Sequence, residues 1–408
     1  MSPRLSPARQ FLAAGCAAAL LALPACTIGD VDDDASPFAP TETQAEYAES
    51  DVEVDERGAV LEAAPFADLD AGIASRVSEA QRITYRSTSG LSGGPSEVTG
   101  AVFVPNGPAP ESGWPVVSYA HGTTGVAPEC GPSQYPDMLG QAARINSLLD
   151  RGYAVVASDY EGLGAGGPHP YLEPATAAFN VIDAVRAARE VNDALSAQWL
   201  AVGVSQGGQA AWAASEQAEA YGTGLEFLGA VALAPAADLT PIAEPDPPWE
   251  LDLFQLGLLP YVLAGFQAAD PSVDLDDYLR GPLAGGFGAL EACTHDGWLN
   301  SALTLMQSSR DDIGPFTEDA TTAIRQWLDD IALPRHVSDG PLLVLYGDRD
   351  AVVPPAWTAQ AVRNACDLGT PVEEVVVPGA DHFNLNGTQE VLDWLDNRLR
   401  GVDPISTC

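Results

Sequence analysis

Lysine is missing altogether: the 18 basic residues among 408 are all arginine, set against 57 aspartates and glutamates, for a formal net charge of −39. Such a surplus repels nucleic-acid phosphates and anionic membrane surfaces, so neither is expected as an electrostatic partner. It reads instead as a solubility device or an adaptation to high salt. The sequence has five histidines, and no Cys/His spacing matches a zinc site. The apolar run from Phe11 to Ala25 is too short for a comfortable membrane span.

That run fits a targeting segment. Arg4 and Arg9 supply the basic region before it, and it ends in Leu23-Pro24-Ala25-Cys26. A small residue before cysteine resembles the lipobox of bacterial lipoproteins, in which the cysteine is lipidated and anchors the chain to a membrane. Pro24 departs from that pattern, and plain cleavage beside Ala25 is the alternative. Either reading of residues 1–26 exports the protein, to the medium or the outer cell surface. Residues 27–56 then hold eleven acidic residues and no basic one. They cannot bury enough apolar surface to offset their ordering entropy, so 27–57 is expected to be a disordered tether. Beyond Cys16 and Cys26, the four cysteines at 130, 293, 366 and 408 suggest two disulfides in an exported chain. Three connectivities are open, and Cys130–Cys293 with Cys366–Cys408 is the expected one.

From residue 80 onward, short apolar runs alternate with longer helical patterns. Arg82 to Ser87 and Glu97 to Val104 read as a hairpin around a glycine-rich turn. Pro115 to Ala120, Tyr153 to Ser158, Trp199 to Val204, Leu228 to Ala234, Pro341 to Tyr346 and Glu373 to Val377 follow. These later runs are nearly continuous in Val, Leu and Ala, as in parallel strands buried on both faces. Helical patterns such as Thr176 to Asn192 and Gly208 to Tyr221 lie between them. The expected fold is therefore α/β, with a mostly parallel eight-stranded sheet wrapped in helices. About a hundred residues, 238–340, interrupt the alternation and carry Trp249, Leu251, Phe254, Leu258, Leu259, Tyr261 and Phe266. They read as a helical cap over the sheet edge where ligands bind, or as a layer that only shields the core. The core then comprises 58–237 and 341–408.

Gly203-Val204-Ser205-Gln206-Gly207 fits G-x-S-x-G, the turn between strand and helix that exposes a nucleophilic serine. Alone it is a weak signal, but the strand pattern before it and the helix pattern after it strengthen it. A serine hydroxyl needs a base, and the base an orienting acid, in the chain order Ser, Asp or Glu, His. Among His121, His169, His295, His336 and His382, only His382 lies beyond the next-to-last strand. It follows the last strand, where the base belongs. For the acid, Asp350 is preferred to Asp348, Asp381 and Asp238: it takes the position after G-x-x in the turn that follows the strand ending at Tyr346, Asp348 could instead pair with Arg349, and Asp381 neighbours the histidine too closely to face its ring. An acyl-transfer site also needs preset N–H donors for an oxyanion. The backbone amide of Gln206 is the first candidate. The loop His121-Gly122-Thr123-Thr124-Gly125 supplies the second, with Thr123 ahead of Thr124.

These pieces resemble the secretory lipases described first in yeasts and also present in bacteria. The likeness rests on Tyr119-Ala120-His121-Gly122-Thr123-Thr124-Gly125, Asp159-Tyr160-Glu161-Gly162-Leu163-Gly164, the Ser205 turn and the long insertion before Asp350. It covers most of residues 60–400. It implies an α/β-hydrolase fold, hydrolysis of acyl esters such as acylglycerols without metal or organic cofactor, and a cap that shapes an acyl tunnel. The acidic N-terminal stretch departs from the family. A serine peptidase or amidase, an acyltransferase, and a non-catalytic binding protein on the same scaffold are the competing readings.

Overall fold

The near-continuous apolar runs become the parallel part of a nine-stranded sheet in the computed structural model, which describes residues 47, 49–243, 253–291, 293 and 303–408. Contacts divide the chain into residues 1–39, outside the described residues, and 40–408. The expected signal segment, Cys26, Trp249, Leu251 and His295 likewise lie outside the described residues.

The strands are β1 (Val60–Pro65), β2 (Val77–Thr88), β3 (Pro95–Pro105), β4 (Trp114–Ala120), β5 (Ala154–Ser158), β6 (Leu195–Val204), β7 (Glu226–Leu233), β8 (Leu342–Gly347) and β9 (Val372–Val377). Their order across the sheet is β1-β2-β3-β5-β4-β6-β7-β8-β9. Pairing is antiparallel from β1 through β5, by way of β2 and β3. From β5 onward every pair is parallel. Every residue of β5 and β8 is buried, which accounts for their uninterrupted apolar sequences.

Helices Pro174–Val191 and Gln206–Glu216 cover one face of the sheet, and Ala142–Asp150 and Thr388–Leu399 the other. The first pair is alanine-rich where it meets the sheet, at Ala178, Ala184, Ala187, Ala188, Ala210, Ala211, Ala213 and Ala214, all fully buried. Small side chains there let the helices lie close and leave room for Trp199 and Trp212, which are also fully buried.

Two expectations need correction. The sheet has nine strands rather than eight, because β1 adds an outer strand against β2. Five of its six residues are exposed, so no buried face imposes an alternating pattern that would reveal a strand. The end of the expected tether is also ordered onto the body. Asp51 N donates to Gly93 O at 2.8 Å, Val52 is buried, and the Arg57 guanidinium lies 4.3 Å from the centre of the Tyr221 ring. A few well-placed contacts there outweigh an acidic composition.

The insertion between β7 and β8 carries helices Leu253–Ala269, Gly281–Glu291 and Glu318–Ile331. Leu259, Val262, Leu263, Phe266, Ile324, Trp327 and Leu328 form its core. That core runs on into Val126, Tyr171, Val352 and Val353 of the sheet's loops, so the inserted helices sit over the C-terminal ends of the strands. Disulfides join Cys130 to Cys293 and Cys366 to Cys408, the pairing expected.

Candidate active site

Ser205 stands between the last residue of β6 and the first of the following helix, with φ +57° and ψ −116°. A non-glycine residue in that region carries about 1–3 kcal/mol of strain. The surroundings impose it: Ser205 N donates to Leu233 O at 2.8 Å, and Ser205 O accepts from Gln209 N and Ala236 N. The flanking glycines are required by close approach. A Cβ on Gly203 would sit 1.9 Å from Gly207 O, and one on Gly207 would sit 2.0 Å from Ala120 O. The tight turn leaves the Ser205 side chain half-buried above the ends of β4 and β6.

The loop after β9 brings His382 against that serine. His382 Nε2 lies 2.9 Å from Ser205 Oγ, and His382 Nδ1 lies 2.7 Å from Asp350 Oδ2. Asp350 follows β8 and is buried, and its other oxygen accepts from Val352 N and Val353 N, both at 2.9 Å. These two amides fix the carboxylate's direction, so Nδ1–H donates to it and the Nε2 lone pair faces the serine hydroxyl. Residues separated by 177 and 32 positions in sequence therefore form one hydrogen-bonded chain.

The competing carboxylates are engaged elsewhere. Asp348 Oδ1 accepts from Gly379 N, Asp381 accepts from Phe383 N and Asn384 N, and Asp238 accepts from Thr240. The His336 ring lies tilted against Tyr47, and its backbone N–H donates to Glu216 at the far end of the helix Gln206–Glu216 from Ser205.

The loop expected to carry the second oxyanion donor lies beside the serine. A Cβ on Gly122 would lie 3.8 Å from Ser205 Cβ, so the loop after β4 borders the serine. Among the described residues the backbone N–H groups of Thr123 and Gln206 donate to no acceptor, which leaves both for a ligand. Their side chains are held from outside. Thr123 Oγ1 lies 2.6 Å from Tyr171 Oη, and Gln206 Nε2 lies 2.8 Å from His169 Nε2. Burial lowers the His169 pKa to about 4, so its ring is neutral at pH 7. The sequence offered no signal for His169 or Tyr171 beyond their place after the Asp159–Gly164 motif.

The family profile described as Secretory lipase matches residues 140–407, about two thirds of the chain. No curated protein sequence matches. Among solved structures, the ligand-bound form of the rice cell wall degrading esterase LipA from Xanthomonas oryzae superposes with a TM-score of 0.67 at 22% identity. The match covers 85% of this chain and 100% of that one. Candida antarctica lipase A in its closed state gives a TM-score of 0.67 at 18% identity, covering 91% of this chain and 87% of that one. At such identities the likeness establishes a shared α/β-hydrolase fold. The family match goes further: the chain is a carboxylic ester hydrolase and belongs to the secretory lipase family.

Proposed function

We propose that the protein is an exported serine hydrolase that cleaves neutral acyl esters, acylglycerols among them, through an acyl-Ser205 intermediate. The observation that carries the reading is the chain Ser205 Oγ–His382 Nε2–His382 Nδ1–Asp350 Oδ2, at 2.9 and 2.7 Å, on a strained turn between strand and helix. In the first half-reaction Ser205 Oγ attacks the ester carbonyl carbon while His382 Nε2 takes the hydroxyl proton. The carbonyl oxygen becomes an oxyanion held by the amides of Gln206 and Thr123. The bond to the alcohol oxygen then breaks, and His382 returns the proton to it. Water repeats the sequence on the acyl-enzyme, its proton passing to His382 and then to Ser205 Oγ as the acid leaves. Asp350 stays ionised throughout and stabilises the imidazolium.

The substrate class is supported by two features. Repulsion from a net charge of −39 disfavours anionic esters, and the apolar core of the inserted helices reaches Val126, Tyr171 and Val352 beside the site. Two disulfides fit an oxidising compartment, which supports export. In this reading 58–237 and 341–408 form the catalytic body, 238–340 caps it, and Cys26 or a cut beside Ala25 begins the mature chain.

The test is hydrolysis of p-nitrophenyl esters of graded acyl length, with Ser205→Ala beside the wild type. Turnover in the wild type, and its loss by at least about 10³-fold in the variant, is expected. A folded wild type that hydrolyses no ester but cleaves anilides would replace the esterase reading with an amidase one.

A further inference from the structure

The motif Asp159-Tyr160-Glu161-Gly162 contains no group that the proposed reaction uses, yet it is built around the oxyanion loop. Tyr160 takes φ +69° and donates from its hydroxyl to His121 O at 3.0 Å. The Asp159 carbonyl lies 3.3 Å from His121 Nε2. The Asp159 carboxylate accepts from Ser133 N and from the Thr99 and Ser133 hydroxyls. Glu161 O accepts from His169 Nδ1–H at 2.7 Å. Gly162, at φ +81°, lets this happen: a Cβ there would sit 2.5 Å from His169 N.

The consequence is a defined tautomer. His169 is buried, and its Nδ1 must carry the proton that Glu161 O receives, so Nε2 is an acceptor. Gln206 Nε2–H donates to it, fixing the side chain of the residue whose amide faces the substrate oxygen. Two residues on, Tyr171 is fully buried and its hydroxyl meets Thr123 Oγ1. The tyrosine ring also packs against Tyr261 of the inserted helix Leu253–Ala269, with centroids 5.9 Å apart.

We propose that His169 and Tyr171 are positioning residues that align the two oxyanion donors, His169 through the Gln206 side chain and Tyr171 through the Thr123 hydroxyl. This rests on the oxyanion reading above. One short segment, 169–171, thereby ties both donors to the loop after β5 and, through Tyr261, to the cap. Neither residue touches the reacting atoms. Their effect is to hold two amides within the fraction of an ångström that transition-state binding requires.

The experiment compares Tyr171→Phe, His169→Phe and Thr123→Val, all of which keep the backbone amides and much of the packing. Each is expected to lower kcat by about 10-fold with KM within twofold, a fraction of the 10²–10³ lost with a whole donor. The affinity for a trifluoromethyl ketone, whose tetrahedral adduct carries an oxyanion, should fall by the same factor as kcat/KM. Stoichiometric end-point labelling by an organophosphate checks that the site is folded. Because Tyr171→Phe and Thr123→Val break one bond from opposite sides, the double variant should be no worse than either single one.

A lowered melting temperature with kcat and ketone affinity within twofold of wild type overturns the proposal, leaving only a structural role. Full additivity of the two single changes also overturns it. Ser205→Ala run in parallel separates the levels. If it keeps wild-type turnover, the serine reading and this proposal fall together. If it is inactive while the three variants are unimpaired, only the positioning roles fall.

Discussion

Replacing Gly207 with alanine adds one methyl group where the helix start crosses the end of β4 at close range. Its Cβ would lie 2.0 Å from Ala120 O and 2.6 Å from His121 O, both backbone atoms of the strand and loop that lead to Thr123. Ordinary carbon–oxygen contact needs more than 3 Å, so the helix start or the strand end must move by about an ångström. Overpacking of this kind costs typically 1–3 kcal/mol of stability. The catalytic cost should be larger, because the displaced elements carry the nucleophile on one side and an oxyanion donor on the other. A misplacement of about 1 Å costs on the order of 10²-fold in rate. Gly285→Ala is the control: it sits in the helix Gly281–Glu291 with no neighbour among the described residues within 4 Å of the added Cβ, and should be neutral or slightly stabilising. Both variants would be assayed for kcat on p-nitrophenyl butyrate per organophosphate-titrated site, with melting temperatures by calorimetry. If Gly207→Ala keeps more than half of the wild-type kcat at an unchanged melting temperature, the steric account of the turn is wrong.

Two further outcomes follow from the body of the protein. Glu216 is buried at the end of the helix that Ser205 starts, and accepts from Tyr47 Oη, Arg335 N and His336 N. Burial raises its pKa to about 7, and that of buried Asp183 to about 6. The unfolded carboxyls lose their protons near pH 4, so between pH 4 and 7 the folded state binds more protons and its stability falls as pH rises. For Glu216 the fall is ~3 kcal/mol across that window, and Glu216→Gln should flatten the slope of unfolding free energy against pH; an unchanged slope would refute the assignment. The Cys366–Cys408 disulfide closes a loop of 42 residues and secures a tail in which Thr407 N donates to Val372 O beside β9. Cys408→Ser should cost about 2–4 kcal/mol in urea unfolding, and an unmoved midpoint would show that the tail's other contacts suffice.

What could be read from the sequence was what burial or chain order constrains. β4, β5, β6 and β8 announced themselves because strands buried on both faces admit little but Val, Leu and Ala, whereas β7 and β9, less buried, showed as shorter apolar runs, residues 229–233 and 375–377. His382 followed from its place after the last strand, and Asp350 from the turn after β8. The carboxylates of Asp348 and Asp381 differ from that of Asp350 only in where the backbone points them, toward Gly379 N and toward Phe383 and Asn384 N. No local pattern encodes that direction. β1 escaped because an exposed outer strand needs no apolar period, and residues 49–57 because their ordering depends on Gly93 and Tyr221, far along the chain. His169 and Tyr171 were invisible for a related reason. A histidine and a tyrosine in a loop carry no signature until the fold places Gln206 and Thr123 against them.

The most direct test of the central claim is to locate the covalent adduct left by an organophosphate such as diethyl p-nitrophenyl phosphate. With no lysine in the chain, trypsin would leave Ser205 in a fragment from residue 190 to Arg280, so a peptic digest is needed before mass spectrometry. The account predicts one diethylphosphoryl group per chain, on Ser205, formed in step with loss of esterase activity and absent from Ser205→Ala. Inactivation with the phosphoryl group on another residue, or esterase activity that survives complete labelling of Ser205, would contradict it.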